Sequence, residues 1–191
     1  MKDLLQQIYR CELCKADLPH QPRPVISVSQ KSRILIIGQA PGKKVHDSGI
    51  PWNDKSGDEL RLWLGVDKAQ FYDTDIFALM PMGFCYPGKG KSGDLPPRKE
   101  CAIEWHERIR SRLKNIQLVL LVGSYAQNYY LKERIKSTLT ETVKNHRIYL
   151  PDYFPLVHPS PRNGIWQRKN PWFKEEVVPE LKNRVHSILR T

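Results

Sequence analysis

Four short apolar runs, each bounded by polar or turn-forming residues, set the pattern of this chain: Arg33 to Ile37, Asp75 to Met82, Gln117 to Val122 and Tyr153 to Val157. They are short, rich in β-branched and aromatic residues and apolar on consecutive positions, the pattern of strands buried on both faces. Between them the apolar positions switch to helical spacing. Leu4, Leu5 and Ile8 predict a short leading helix that ends at Cys11-Glu12-Leu13-Cys14. Ser56-Gly57-Asp58-Glu59 reads as a capping box, followed by Leu60, Trp63 and Leu64 on one face and a stop at Gly65. Pro97 suits the first turn of a helix whose stripe is Cys101, Trp105, Ile109 and Leu113. Ser124, after Gly123, can cap the helix that follows the third strand. Asn170-Pro171 opens a terminal helix with Phe173, Val177, Leu181 and Val185 on one face, and Pro179 inside that pattern predicts a kink. Pro19 to Lys31 and Cys85 to Pro97 read as loops. Strands alternating with helices imply an α/β fold, with a mostly parallel sheet covered on both faces.

Length and charge narrow the function. A chain of 191 residues without repeats or a linker reads as one domain, 1–191. Its 31 Lys and Arg against 20 Asp and Glu give a net charge of +11, a balance suited to a polyanionic partner, most commonly nucleic acid. No run approaches the roughly 18 apolar residues of a membrane span, and the N-terminus lacks a secretory pattern, so a cytoplasmic location and no membrane partner are expected. In a reducing compartment, four cysteines point to thiols or metal ligands before disulfides.

Two loops carry the candidate chemistry. Gly38-Gln39-Ala40-Pro41-Gly42 follows the first strand, and His158-Pro159-Ser160-Pro161-Arg162-Asn163 follows the last. In an open α/β sheet such loops converge on one crevice at the carboxyl ends of the strands, where ligands bind. The first loop lacks the spacing of a dinucleotide fingerprint, and no helix is expected to start within it. Pro41 stiffens it and Gly42 permits close approach of a ligand. Trp52, in Gly49-Ile50-Pro51-Trp52, offers a ring that can stack on a base or fill a half-buried core position. In the second loop the prolines favour extended backbone, Ser160 can grip a phosphate, and His158 is an imidazole donor that can be neutral near pH 7.

Taken together, these motifs resemble those of the uracil-DNA glycosylase superfamily. Gly38 to Trp52 looks like the G-E-A-P-G loop and following G-x-P-F of the iron–sulfur (family 4) uracil-DNA glycosylases, with Gln39 for the Glu and Trp52 for the base-stacking Phe. His158 to Asn163 matches the H-P-S-P-R-N of the single-strand-selective uracil glycosylases residue by residue. The resemblance implies a three-layer α/β/α sandwich around a four-stranded, mainly parallel sheet. It also implies a monofunctional DNA glycosylase that flips uracil or a related base out of DNA and hydrolyses its N-glycosidic bond. By the same match, Gly38, Ala40, Pro41, Gly42, Trp52 and Asn53 are expected around the base. His158 would stabilise the leaving base, and Gln39, Asp47 and Asn163 are candidates for holding water, with Asp47 ranked first as a carboxylate and His46 also considered. Asp54, like Asn53, is a candidate for the pyrimidine edge. Ser160, Pro161, Arg162, Lys89 and Lys91 are expected on DNA, single- or double-stranded, with Lys43, Lys44, Arg168 and Lys169 adding to the same face.

The cysteines extend the resemblance. Cys11 and Cys14 form a C-x-x-C, and Cys85 and Cys101 stand with fifteen residues between them, the layout of the family 4 enzymes. It implies a structural [4Fe–4S] cluster; a zinc site or unliganded thiols remain the alternatives. A monomer is expected. Three departures matter. Ala40 and Gly42 stand where better-known relatives carry a water-orienting Asp and a Tyr that bars thymine. Pro81 replaces a base-reading Asn. These leave room for hypoxanthine, a 5-modified pyrimidine, or a non-catalytic protein that binds modified bases.

Overall fold

The computed structural model describes residues 1–190. Four parallel strands form the central sheet: β1 (Ile34–Ile37), β2 (Phe77–Leu79), β5 (Leu118–Val122) and β6 (Phe154–Leu156), in the spatial order β2-β1-β5-β6. Register is continuous across it, with Ile34 opposite both Phe77 and Leu118, and Leu120 opposite Phe154. All fifteen strand residues are buried, which explains the unbroken apolar runs.

Side-chain alternation then sorts these residues into two cores. Ile34, Ile36, Phe77, Leu79, Leu118, Leu120, Phe154 and Leu156 face α3 (Lys55–Leu64), α4 (Lys68–Tyr72), α7 (Leu139–Lys144) and α9 (Val178–Arg190). Leu35, Ile37, Ala78, Val119 and Leu121 face α1 (Lys2–Tyr9), α5 (Lys99–Arg110) and α6 (Ser124–Leu131). The result is a three-layer α/β/α sandwich, as expected. Two short helices, α2 (Lys43–Ser48) and α8 (Gly164–Lys169), follow the two motif loops, and a small antiparallel hairpin pairs β3 (Lys89–Gly90) with β4 (Gly93–Asp94).

Several local expectations are corrected. Asp54, not Ser56, caps α3: its carboxylate accepts from the Gly57 amide at 2.9 Å. Pro97 lies before the α5 cap residue, Arg98, rather than in the first turn. Ser124 makes no side-chain cap; Gly123 holds the cap position with φ +86°, a conformation open to glycine. A helix does start at the first motif, with Gly42 as the cap of α2. The second strand is shorter than its apolar run, and Ser27 bridges to Leu79 from the segment read as loop. At Pro179, where the pattern predicts a kink, the helix runs on from the preceding turn without a break. A π-helical turn over Phe173–Val177 widens the backbone just where the proline ring would meet the carbonyl of Glu175.

The topology fixes where a ligand can go. The chain leaves β1 toward β2 on one side and leaves β5 toward β6 on the other, so the connections diverge between the two central strands. The crevice at that divergence, outside the strand carboxyl ends, holds the loops after β1 and β6.

Candidate active site

A cavity at this crevice is lined by Gly38, Gln39, Ala40, Pro41 and Gly42 of the first motif, by Pro51, Trp52, Asp54 and Ser56, and by Val25, Val45, Pro81 and His158. Two motifs more than a hundred residues apart in sequence therefore meet. The Trp52 and His158 rings are stacked, with centroids 5.8 Å apart and planes 30° from parallel. Trp52 has φ +56°, left-handed backbone that a bulky aromatic residue rarely adopts and that costs of order 1–3 kcal/mol. Surrounding contacts impose it. The Tyr72 hydroxyl donates to the Pro51 carbonyl at 3.0 Å, and the Asn53 amide closes a turn onto Ile50. The Gly38 and Gly57 positions leave room for the indole and the Trp52 carbonyl.

His158 sits over Gly123, whose missing side chain leaves space beside the histidine Cβ. Burial lowers the His158 pKa below its ordinary value, with the nearby Asp54 carboxylate acting in the opposite sense. The imidazole is thus neutral near pH 7 and can donate one N–H without carrying a charge. The Asn163 side-chain amide donates to the His158 carbonyl at 2.6 Å and closes the second loop on itself. Asn163 therefore braces the histidine and does not line the cavity.

Asp47 is likewise outside it. That side chain is exposed and pairs with Lys43 at 2.5 Å, which holds its carboxyl below the ordinary value. His46 turns away toward His20 and Tyr86, and Asn53 is not part of the lining. The carboxylate that does reach the cavity is Asp54. One of its oxygens is held by the Gly57 amide as the α3 cap, which fixes the orientation of the group. Sequence reasoning had noticed Asp54 only as a contact to the base edge. Its position just before Ser56-Gly57 as a helix cap was the missed signal.

Pro81 forms the far wall. The neutral His106 ring, with its pKa lowered to about 4 by burial, lies 3.0 Å from the Pro81 carbonyl through Nε2 and 2.6 Å from the Tyr130 hydroxyl through Nδ1. Backbone amides of Met82 and Gly83 donate to the carbonyls of Gly38 and Gln39, tying this wall to the first motif.

Beside the cavity, the basic loops converge. Arg162 donates to the Ser92 carbonyl at 2.8 Å, and a Cβ on Gly93 would come within 2.9 Å of its guanidinium. The hairpin carrying exposed Lys89 and Lys91 is thereby joined to Ser160, Pro161 and Arg162, with the Ser160 hydroxyl accepting from the Arg162 amide.

The cysteines meet in a separate cavity. Cys11, Cys14, Cys85 and Cys101 line it together with Leu13, Leu18, Pro22, Phe84 and Trp105. The Phe84 amide donates to the Cys101 sulfur at 3.3 Å. Burial pushes the Cys85 thiol up to about 11 and the Cys101 thiol up to about 12. Among the described residues no group of three or more His, Cys, Asp or Glu is placed to hold a metal ion.

No helix among the described residues is long and apolar enough to cross a membrane. The family model of the uracil DNA glycosylase superfamily matches residues 26–182, a span that holds the sheet, both motif loops and every residue lining the cavity between them except Val25. The chain belongs to the uracil DNA glycosylase superfamily, whose members are DNA glycosylases.

Proposed function

We propose that this chain is a monofunctional glycosylase that accepts uracil, or a related damaged or modified base, flipped from DNA into the cavity between Trp52 and the Gly38–Gly42 loop, and hydrolyses its N-glycosidic bond with water. The observation that carries this reading is the stacked Trp52–His158 pair in a cavity walled by the first motif. A flipped base gains stacking on the indole, which offsets part of the unstacking cost.

Cleavage of the bond leaves an oxocarbenium-like sugar and a base anion. A neutral His158 N–H aimed at the base oxygen stabilises that anion as charge develops, in a site where burial strengthens the interaction. Asp54 supplies the carboxylate beside it. With one oxygen anchored on Gly57, the other can orient water and accept its proton. Gln39, which also lines the cavity, is a further candidate to contact the base or the water. Among the described residues no lysine lines the cavity, which supports water and not an amine as nucleophile.

The clasped Lys89–Lys91 hairpin and Ser160–Arg162 loop supply cations and hydrogen-bond donors for the phosphates. The four cysteines suit a [4Fe–4S] cluster that pins the N-terminal arm to the Phe84–Cys85 segment. Four cysteines lining one cavity supply the number of thiolates such a cluster takes, and zinc is the alternative for the same four. Gly42 leaves the cavity without a bulky gate, so hypoxanthine and 5-modified pyrimidines belong in the same test.

That test is excision from labelled single- and double-stranded oligonucleotides carrying uracil, hypoxanthine or 5-hydroxymethyluracil, with alkali revealing abasic sites. Excision of one of them, reduced by His158→Ala on the order of 10²–10³ fold, is expected. Wild-type turnover in that variant would remove His158 from the reaction, and binding without excision of any base would leave a modified-base reader.

A further inference from the structure

His20, His46 and Tyr86 pack their rings together beside the base cavity. The His20 and His46 centroids are 5.3 Å apart and 23° from parallel; His20 and Tyr86 are 6.2 Å apart and 22° from parallel. Tyr86 is nearly buried beneath the group and His20 is exposed on top of it. The cluster touches the cavity rim through Tyr86. Its hydroxyl lies 3.5 Å from Asp94, whose other oxygen lies 3.3 Å from the point a Cβ on Gly42 would occupy. His46 is the neighbour of Val45, which lines the cavity itself.

Neither apolar core includes these rings. The buried Nδ1 of His46 has no hydrogen-bond partner, so the ring is not held there by a polar network. Arg23 and Lys43 lie close to His46, together with the Asp47 carboxylate. Arg23 donates to the Asp47 carbonyl at 2.9 Å, Lys43 is paired with Asp47, and Lys44 is exposed. An exposed flat ring backed by two others and flanked by cations is the arrangement by which proteins hold single-stranded nucleic acid without reading its sequence.

We propose that His20, seated on His46 and Tyr86, is a stacking platform for a nucleobase that neighbours the flipped one on a single DNA strand. The inference rests on a strand crossing the cavity mouth, as the proposed function requires. The strand would pass from the Arg162–Ser92 clasp, past Asp94, to His20, with Lys44 and Arg23 near its phosphates. The platform gives affinity for single strands at a position outside the base cavity. It is sequence-tolerant, because every base has a face to stack.

Binding and not excision tests it, so the outcome is separate from the glycosylase chemistry. Fluorescence anisotropy at one fixed salt concentration would compare an oligothymidylate with an abasic oligomer of equal length and charge. His20→Ala is expected to weaken thymidylate binding about tenfold, the effect of losing one stacked base, and to leave the abasic oligomer unchanged. His20→Trp, with a larger face, is expected to tighten thymidylate binding alone. An equal loss on both oligomers would assign His20 a charge role and overturn the platform, as would unchanged binding in both variants. Excision of no base, with the His20 effect intact, would leave the platform standing and remove the catalytic reading.

Discussion

The carbonyl oxygen of Trp52 lies 1.7 Å from the point where a Cβ on Gly57 would be built, so the first turn of α3 and the left-handed Trp52 backbone depend on each other. The indole is similarly close to Gly38, at 2.7 Å from its missing Cβ. A methyl group at Gly57 meets backbone, which cannot swing aside as a side-chain tip can.

Gly57→Ala is therefore expected to displace Trp52 and to destabilise the protein by about 1–3 kcal/mol, the usual cost of overpacking. Excision should fall with a raised KM, since the stacking face is lost. Thermal melting together with steady-state kinetics checks it. An unchanged KM would show that Trp52 does not touch the base.

Asp54 and Asp47 are two acids in one short segment with opposite placements, and the proposed chemistry separates them. Asp54→Asn keeps an oxygen to cap Gly57, and asparagine is as good a cap as aspartate. Stability should hold while kcat falls on the order of 10²–10⁴ fold, the scale of a lost general base. Asp47→Asn should leave turnover unchanged, because it removes only the exposed Lys43 pair. The reverse result would move the water to Asp47.

The cysteine cavity gives a prediction about composition. Protein purified without oxygen should be brown and carry about four iron atoms per chain. Cys101→Ser should lose both iron and colour and lower the melting temperature. A colourless protein with one zinc would replace the cluster.

A further prediction concerns acid stability. Glu180 accepts from His146, Arg147 and Arg184, at 3.1, 2.7 and 2.9 Å. Its burial alone would raise the carboxyl pKa; the three donors outweigh that and hold it at about 2. A carboxyl depressed by folding contributes stability above its ordinary pKa and loses it as pH falls. The melting-temperature gap between wild type and Glu180→Gln should thus be full near neutrality. It should shrink between the ordinary value of 4.5 and about 2. A gap independent of pH would assign Glu180 a packing role.

Legibility in the sequence followed the range of the interactions. The strands were visible because both faces of each are buried, which writes an unbroken apolar run such as Ile34 to Ile37. Gly38 to Gly42, Trp52 and His158 could be grouped because strand-end loops must converge. What stayed hidden depended on contacts distant in sequence. Asp54 looked like one acid among several until its cap to Gly57 and its place beside His158 were seen. Asp47 looked well placed until Lys43 claimed it. The hairpin over Lys89–Asp94 is two residues per strand, too short to show a period. The role of Ser92 is a backbone carbonyl, which no residue type announces.

That carbonyl has a consequence for the arrival of DNA. Because Arg162 is already fastened to Ser92, two surface loops seventy residues apart along the chain are held as one rim before any strand is present. Ordering them costs freedom that would otherwise be charged against binding. A DNA strand bound as proposed would therefore meet a prepared edge, and the guanidinium would exchange its carbonyl partner for a phosphate oxygen.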